Sequence, residues 1–346
     1  MKLGLKHLQE RARKGSFWWW PYISNLPETY TMPIFFPGED IKNLQYAPLL
    51  YQVNKRCRFL LEFEKLLKHE LKNVKPDDHP FGGQDVDSSA LGWAMSAVSS
   101  RVFRLYGSKR PDGTWSNVPM MLPLIDMCNH SFDSNAEIKK KKEKRAARCT
   151  KLPLCAGSGE GPQGSVVVAG REIKKNDPLL LNYGCLSSDL FLLDYGFVIQ
   201  SNPYDCIELR YDAALVDAAS MAAGVSPPNF SSSSPWQQQI LLHLNLEGQN
   251  ADLKHDLEAL ISLTVEAPLS ILTEVSALRT IVALCVIAFG HFPTKIVEDE
   301  SLLKQNLSPT TEFALQFRIQ KKSLIVDFTR DLSKRVKLLL AKESAP

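Results

Sequence analysis

The sequence lacks the closely spaced cysteine pairs that zinc sites and redox motifs require. Its seven cysteines are scattered along the chain, and no two of them stand at C-x-x-C spacing. An odd and dispersed set of this kind predicts reduced thiols in an intracellular or organellar protein, and it argues against a disulfide framework. We therefore expect neither structural disulfides nor a bound metal.

A long apolar run is also missing. No span reaches the roughly 20 apolar residues that a membrane helix needs, and the best candidate, Ile281 to Phe289, has the length of a buried helix. Residues 1–14 mix charges with leucines and have no separate apolar core, so they are not a signal peptide, nor a convincing transit peptide. Their leucine spacing predicts an amphipathic helix already under way at Met1, as expected of a chain that lacks an N-terminal part.

Neither sign of charge is in clear excess. With 41 basic and 38 acidic residues the net charge is +3, so composition alone makes no case for a nucleic-acid or membrane partner. The basic run Lys139–Arg145 is compatible with a nuclear signal or a nucleic-acid patch. We favour a solvated surface loop, because the glycine- and proline-rich residues 150–164 follow it.

The most informative stretch is residues 118–135. It is mostly apolar and contains two prolines, each of which removes a backbone donor, so a central strand or a long helix is disfavoured. Polar residues follow the apolar run at once, beginning with Asn129 and His130. We interpret the stretch as a short buried connector that delivers these two side chains to a defined place, where Tyr183 and Tyr195 meet them. We assign no role to Asp126.

Helical periodicity is strong over much of the chain. It predicts helices over 1–14, 46–75, 90–106, 189–195, 212–224, 236–246, 253–264, 270–290 and 311–342. Residues 107–117 are predicted to form a turn, and 205–211 are strand-like. Residues 165–169 and 179–183 predict the two strands of a hairpin.

The pattern changes character near residue 205. The chain of 346 residues has room for two domains. We predict an α+β fold with a mixed domain over residues 1–205 and an all-helical domain over residues 206–346.

Three short segments, taken in order, carry a resemblance. Residues 126–131 read Asp-Met-Cys-Asn-His-Ser, residues 181–188 read Leu-Asn-Tyr-Gly-Cys-Leu-Ser-Ser, and residues 194–197 read Asp-Tyr-Gly-Phe. Together they resemble the SET-domain lysine methyltransferases, in the branch similar to plant Rubisco large-subunit N-methyltransferase. The resemblance covers most of the chain. It implies a partial SET β-core with inserted helices in the first domain, and that branch's substrate-binding domain in the second.

The resemblance implies methyl transfer from S-adenosylmethionine to a lysine amine, a displacement in which positioning supplies much of the catalysis. Asn129 and His130 would contact the cofactor. The hydroxyl of Tyr183 would orient the lysine nitrogen and the sulfonium methyl, and Tyr195 would line an apolar lysine channel that favours the neutral amine. Outside this motif, Asn129 and His130 are more simply a satisfied buried polar pair, and Tyr183 a core or rim tyrosine.

The chain departs from the family pattern at three places. The Gly-x-Gly strand segment that contacts the methionine part of the cofactor is not found ahead of Asn129. Ser187-Ser188 stands where the family has Ser-Asn, and the basic, glycine-rich insertion at 139–164 is additional.

Two functions follow from the resemblance and these departures. The first is a protein-lysine N-methyltransferase, or a truncated isoform of one. The second is a SET-derived interaction protein of weak or no activity, acting as a scaffold in a plastid assembly. A helical protein that only mimics the motif is the remaining alternative.

The resemblance also implies partners and a location. A protein substrate, such as plastid Rubisco or aldolase, would bind through the C-terminal helical domain. The location would be the chloroplast, or otherwise the cytoplasm. We expect no membrane partner and no nucleic-acid partner.

Overall fold

The computed structural model describes most of the chain in seven ranges. These are residues 1–13, 19–109, 115–140, 165–209, 213–225, 251–252 and 271–343. The predicted helices at 236–246 and 253–264, and the greater part of the basic, glycine-rich insertion, lie outside them. The chain forms two compact units: Met1–Leu26 with Ala97–Cys185, and Pro27–Ser96 with Leu186–Pro346. The predicted boundary after residue 205 stays a prediction.

The first unit combines two helices with short strand pairs. Its helices are α1 (Lys2–Arg13) and α2 (Trp20–Ile23), and its strands are β1 (Val102–Lys109), β2 (Trp115–Met121), β3 (Asn129–His130), β4 (Ala136–Lys140), β5 (Ser165–Ala169) and β6 (Leu180–Leu181). Strands β1 and β2 pair antiparallel, as do β4 and β5, whereas β3 and β6 pair parallel. Helix α1 confirms the helix predicted over residues 1–14.

Two predictions for this part of the chain, a hairpin and the extent of a helix, are wrong. The strands at 165–169 and near 180 exist, but they do not pair as a hairpin, because β5 pairs with β4 and β6 pairs with β3. The predicted helix over 90–106 ends at Ser99, and residues 102–106 belong to β1 instead. The ends of the predicted turn, residues 107–109 and 115–117, lie in the β1–β2 pair, and its centre lies outside the described residues. Valine and phenylalanine at the start of β1 fit a pleated surface better than a continued helix.

The second unit is mainly helical. Its helices are α3 (Gly38–Asn43), α4 (Ala47–Leu71), most of α5 (Ser88–Ser99), α6 (Ser188–Leu190), α7 (Ala213–Ala222), α8 (Ile271–Gly290), α9 (Ile296–Leu303) and α10 (Pro309–Glu343). A π-helical turn spans Phe191–Tyr195, and β7 (Glu208–Leu209) pairs with β8 (Ala251–Asp252). Helices α4, α7, α8 and α10 confirm those predicted over 46–75, 212–224, 270–290 and 311–342.

Helix packing builds the core of the second unit. Helix α8 packs against α7 and α10, and buried aliphatic side chains such as Ile281, Leu284 and Ile325 fill the space between them. A second cluster joins α4 to the π-turn through Leu49, Val53 and Leu192, with Phe317 of α10 among its fully buried members. This cluster fixes the turn that carries Tyr195.

The same helix α10 also buries charge. Arg318, Lys321 and Lys322 are all at most 1% exposed, and each forms an ion pair with an aspartate. None of the helices that the structure describes has both the length and the apolar character needed to cross a membrane.

Candidate functional site

The residues of the predicted motif lie where two short strands run side by side. A 3-10 turn over Ile125–Met127 ends at Cys128, whose backbone is extended, and β3 begins at the next residue. In the parallel pair, Asn129 lies opposite Leu180 and His130 opposite Leu181. The N–H of Ser131 donates to the carbonyl of Leu181 at 3.0 Å and extends the pairing by one residue.

Tyr183 is joined to this strand by two hydrogen bonds. Its backbone N–H donates to Nδ1 of His130 at 3.1 Å, and its hydroxyl donates to the carbonyl of Cys128 at 2.5 Å. The two rings lie close, with centroids 5.1 Å apart, and Phe132 packs edge-on against the imidazole. Three of the four predicted site residues, Asn129, His130 and Tyr183, are therefore brought together.

The imidazole of His130 is held in its neutral form. Because Nδ1 accepts the N–H of Tyr183, the neutral ring carries its proton on Nε2. Burial lowers the pKa of His130 below its ordinary value, more than a hydrogen bond with the backbone of Leu181 raises it. The site thus offers a neutral ring beside the exposed side chain of Asn129.

The hydroxyl of Tyr183 has a defined polarity. Its proton is directed at the carbonyl of Cys128, so the phenol oxygen meets any other group as an acceptor. Acceptor oxygens suit the N–H of an amine or imidazole, and more weakly the polarised methyl of a sulfonium. The side chain is half-buried and packs against the small apolar cluster of Cys128, Ala136 and Leu181.

Sequence reasoning missed a polar network that holds the preceding turn. The carboxylate of Asp126 accepts a short hydrogen bond from the hydroxyl of Tyr22, and Nη1 of Arg101 donates to the Asp126 carbonyl at 2.9 Å. Burial raises the pKa of Asp126, more than the bond from Tyr22 lowers it. No local signal connects residues this distant in sequence, so only the structure reveals this support.

The predicted buried connector is wrong in part. Asp126 and Cys128 are buried, but Leu124 is 80% exposed and Met127 is 41% exposed. Leu124 also adopts a positive φ of 74°, which turns the chain into the 3-10 turn. The apolar side chains of Leu124 and Met127 therefore face solvent at this turn.

Tyr195, the fourth predicted residue, belongs to the second unit. It ends the π-turn and packs against Phe191 and Phe197, with ring centroids 5.9 Å and 6.1 Å away. Gly196 follows with a φ of +78°, where a Cβ atom would lie 2.7 Å from the hydroxyl oxygen of Thr31. Turns of the π type are frequent at functional sites. The role of Tyr195 in a substrate channel stays a prediction.

Comparison with known proteins places these observations in context. The model of the Rubisco LSMT substrate-binding family matches residues 217–325. The actin-histidine N-methyltransferases of Callithrix jacchus and Homo sapiens are 25% and 24% identical to the chain. Each match covers 92% of this chain and 53% of the relative, so the chain spans about half the length of the curated relatives it matches.

Solved structures match the fold across nearly the whole chain. The SET domain of LSMT bound to lysine and AdoHcy has a TM-score of 0.62 at 19% identity, and Rubisco LSMT bound to AdoMet has 0.57 at 18%. Each match covers 97% of this chain and 75% of the other. The fold is that of a SET-domain methyltransferase with a helical C-terminal region, which confirms the predicted fold class.

Proposed function

We propose that the chain is the catalytic part of a protein N-methyltransferase that uses S-adenosylmethionine. The observation that carries the proposal is the arrangement of Asn129, His130 and Tyr183, held by hydrogen bonds at the β3–β6 pair within a SET fold. The sequence relatives, whose printed activity is methyl transfer to a protein nitrogen, support the same reaction class.

The residues of the site suit the cofactor. S-adenosylmethionine supplies an electrophilic methyl group on a sulfonium, and it leaves as S-adenosylhomocysteine once the methyl carbon has bonded to the acceptor nitrogen. Asn129 offers an exposed amide with both donors and an acceptor, and His130 offers a neutral ring that does not repel the sulfonium charge. Structures with the same fold bind AdoMet and AdoHcy, which supports this assignment.

Tyr183 orients the acceptor nitrogen in this proposal. Its hydroxyl proton is committed to the carbonyl of Cys128, so its oxygen accepts the N–H of the neutral target side chain. For a lysine amine, that bond points the lone pair of the same nitrogen along the line of displacement. For a neutral imidazole, it orients the ring so that the unprotonated nitrogen faces the methyl carbon. Such alignment supplies much of the rate. After transfer, the methylated nitrogen of lysine loses a proton to solvent, whereas in histidine the proton leaves from the other ring nitrogen.

The target is a lysine amine or a histidine imidazole. The resemblance in the motif favours lysine, and one solved structure of the same fold contains lysine. The sequence relatives favour histidine, since their printed activity is on actin histidine. A neutral lysine amine attacks through the nitrogen that carries its N–H, whereas a neutral imidazole attacks through its unprotonated nitrogen and carries the N–H on the other one. Each side chain has an N–H that the oxygen of Tyr183 can accept, so the described geometry serves either one.

Calorimetry with S-adenosylmethionine and S-adenosylhomocysteine tests the first step. We expect binding of both, and we expect Asn129→Ala to weaken both. If no heat of binding is detected even at high cofactor concentration, the enzyme proposal for this chain is rejected. The alternative, an interaction protein of weak or no activity, is then favoured.

Methyl transfer is then measured on matched peptides that differ only in having lysine, histidine or alanine at one position. Mass spectrometry identifies the methylated residue. Tyr183→Phe should abolish transfer and retain cofactor affinity, whereas Tyr51→Phe, at an exposed position on α4, should change neither. Full turnover in Tyr183→Phe would remove Tyr183 from the proposed role.

Substrate binding and location extend the proposal. The matched region at 217–325 is the natural candidate for binding a protein substrate, because the family model describes a substrate-binding domain. A plastid substrate and a chloroplast location rest on the motif resemblance. Imaging of the fluorescently tagged full-length protein in plant cells checks the location, and a purely cytosolic signal would contradict it.

A further inference from the structure

One buried lysine binds both ends of residues 189–206, the segment that contains Tyr195. The side chain of Lys321 on α10 is fully buried, and its ammonium group forms a short ion pair with Asp189. The same ammonium donates to Oδ1 of Asp205 at 2.8 Å and to the carbonyl of Cys206 at 2.7 Å. All three ammonium protons are thereby used, and the two ends of the segment 189–206 meet at a single nitrogen.

One of the acidic partners, Asp205, is itself fixed by a backbone group. Oδ1 of Asp205 also accepts the N–H of Ser188 at 2.9 Å, so it ties the start of α6 to the far end of the segment. Next to Lys321, the side chain of Gln320 donates a short hydrogen bond to the carbonyl of Ile199. Two consecutive residues of α10 therefore hold the segment at its ends and near its middle.

The π-turn inside this segment is anchored on its other side as well. Arg56 pairs with Asp194 at 2.8 Å and donates to the carbonyl of Leu193 at 2.8 Å. The hydroxyl of Thr31 donates to the carbonyl of Gly196 at 2.7 Å. These bonds constrain the residues on both sides of Tyr195 through side chains distant in sequence.

We propose that Lys321 is a positioning residue, which fixes the turn of Tyr195 by joining Asp189 to Asp205. The functional part of this inference rests on the proposed methyltransferase activity and on the motif resemblance, by which Tyr195 would line the channel for the target side chain. Displacing the turn would then impair entry of the target without changing the affinity for the cofactor.

The neighbouring lysine provides a matched comparison. Lys322 is equally buried on the same helix, but its ammonium binds Asp299 and Thr294, at 2.5 Å to the carboxylate and 2.7 Å to the carbonyl. Its described hydrogen bonds do not reach residues 189–206. Lys321→Met and Lys322→Met thus remove the same group at the same depth, and only the first releases the segment.

Fluorine NMR of the protein labelled with fluorotyrosine tests the positioning directly. The chain has nine tyrosines, and the signal of Tyr195 is assigned by its absence in Tyr195→Phe. We expect Lys321→Met and the milder Asp189→Asn to shift or broaden this signal, and Lys322→Met to leave it unchanged. If Lys321→Met does not fold, Asp189→Asn carries the test. An unchanged Tyr195 signal in the folded variants would overturn the proposal.

Kinetics provide the second readout. In Asp189→Asn we expect the KM for the target peptide to rise about tenfold, with the calorimetric Kd of S-adenosylhomocysteine unchanged, because misplacement near the target weakens productive binding. An equal loss of cofactor affinity would indicate general damage and contradict the assignment. If the parent chain shows no turnover, the proposed function fails, and the NMR signal of Tyr195 still decides whether Lys321 positions the turn.

Discussion

The two units of the molecule use polar residues in opposite ways. In the first unit, His130 and Tyr183 are neutral and hydrogen-bond to each other and to backbone groups. In the second unit, the basic side chains of Arg318, Lys321 and Lys322 are fully buried and paired with aspartates. Uncharged polar groups suit a site that must accept a ligand, whereas buried ion pairs suit a frame that must not move.

The pKa shifts of one aspartate from each unit show the same contrast. Burial raises the pKa of Asp126, and the hydroxyl of Tyr22 is too weak a donor to reverse the shift. Burial acts in the same direction on Asp299, but hydrogen bonds from Arg318, Lys322 and Thr294 outweigh it and lower the pKa. The same side chain therefore prefers its neutral form more strongly in one unit and its charged form more strongly in the other.

The largest expected effect is that of Asp299→Asn. This change leaves Arg318 and Lys322 buried without their carboxylate, and breaking such a pair costs about 3–5 kcal/mol of unfolding free energy. Chemical denaturation followed by circular dichroism measures it. The pKa of Asp299 is lowered in the folded state. Its ionised carboxylate therefore stabilises the fold above the ordinary aspartate pKa of 3.8, and this contribution to the unfolding free energy is lost as the pH falls below that value.

The first unit supplies the matched control. Asp126→Asn keeps an acceptor for the hydroxyl of Tyr22 and removes a charge that burial already disfavours, so we expect a cost of at most about 1 kcal/mol. Equal losses in the two variants would contradict the contrast between the units.

Two glycines test how tightly each unit holds its backbone. Gly196, after Tyr195, has a φ of +78° and a neighbouring hydroxyl oxygen 2.7 Å from the position of an added Cβ. Gly184, after Tyr183, has a φ of +114° and no atom within 4 Å of that position. Both changes to alanine incur backbone strain of roughly 1–3 kcal/mol, and we expect Gly196→Ala to cost more because the clash adds to it.

Thermal unfolding of both glycine variants measures the difference. Adding Thr31→Ala to Gly196→Ala removes the clashing hydroxyl and should recover part of the loss. If Gly184→Ala lowers the unfolding temperature more than Gly196→Ala does, crowding by Thr31 is not the main constraint on the backbone at Gly196.

The sequence allowed the site to be predicted better than its surroundings. The motif identified Asn129, His130 and Tyr183 as a group, because their chemistry and order are distinctive, and periodicity located the long helices. The pairing of β3 with β6 could not be predicted, because each strand has only two residues and parallel partners distant in sequence leave no local pattern.

The buried ion pairs of α10 also could not be predicted from the helical periodicity. Lysines on a long helix predict a solvated face, and burial of Lys321 becomes reasonable only when Asp189 and Asp205 are known to converge on it. The hydrogen bond from Tyr22 to Asp126 is of the same kind, since it joins residues that no periodicity relates.

A smaller effect is expected from the pH dependence of His130. Since burial lowers its pKa from 6.5, the unfolded chain binds the proton more readily than the folded one. The neutral ring therefore contributes to the unfolding free energy above about pH 6.5, and this contribution is lost as the pH falls below that value. Protonation would also remove the acceptor for the N–H of Tyr183.

Unfolding free energies of the parent chain and of His130→Gln, measured on both sides of pH 6.5, isolate this group from the other histidines. We expect the unfolding free energy of the parent to fall more on acidification than that of the variant. Parallel pH profiles would show that His130 is not held neutral by the fold.

The smallest effect belongs to the exposed ion pair of the first unit. Arg171 contacts both carboxylate oxygens of Asp133, at 2.8 Å and 3.0 Å, and its hydrogen bonds lower the pKa of Asp133. The two side chains are 51% and 82% exposed, so water and salt screen the attraction. We expect Asp133→Asn to leave the denaturation midpoint unchanged at high salt and to lower it barely measurably at low salt. A loss approaching that of Asp299→Asn would mean that ion-pair geometry, rather than burial, distinguishes the charges of the two units.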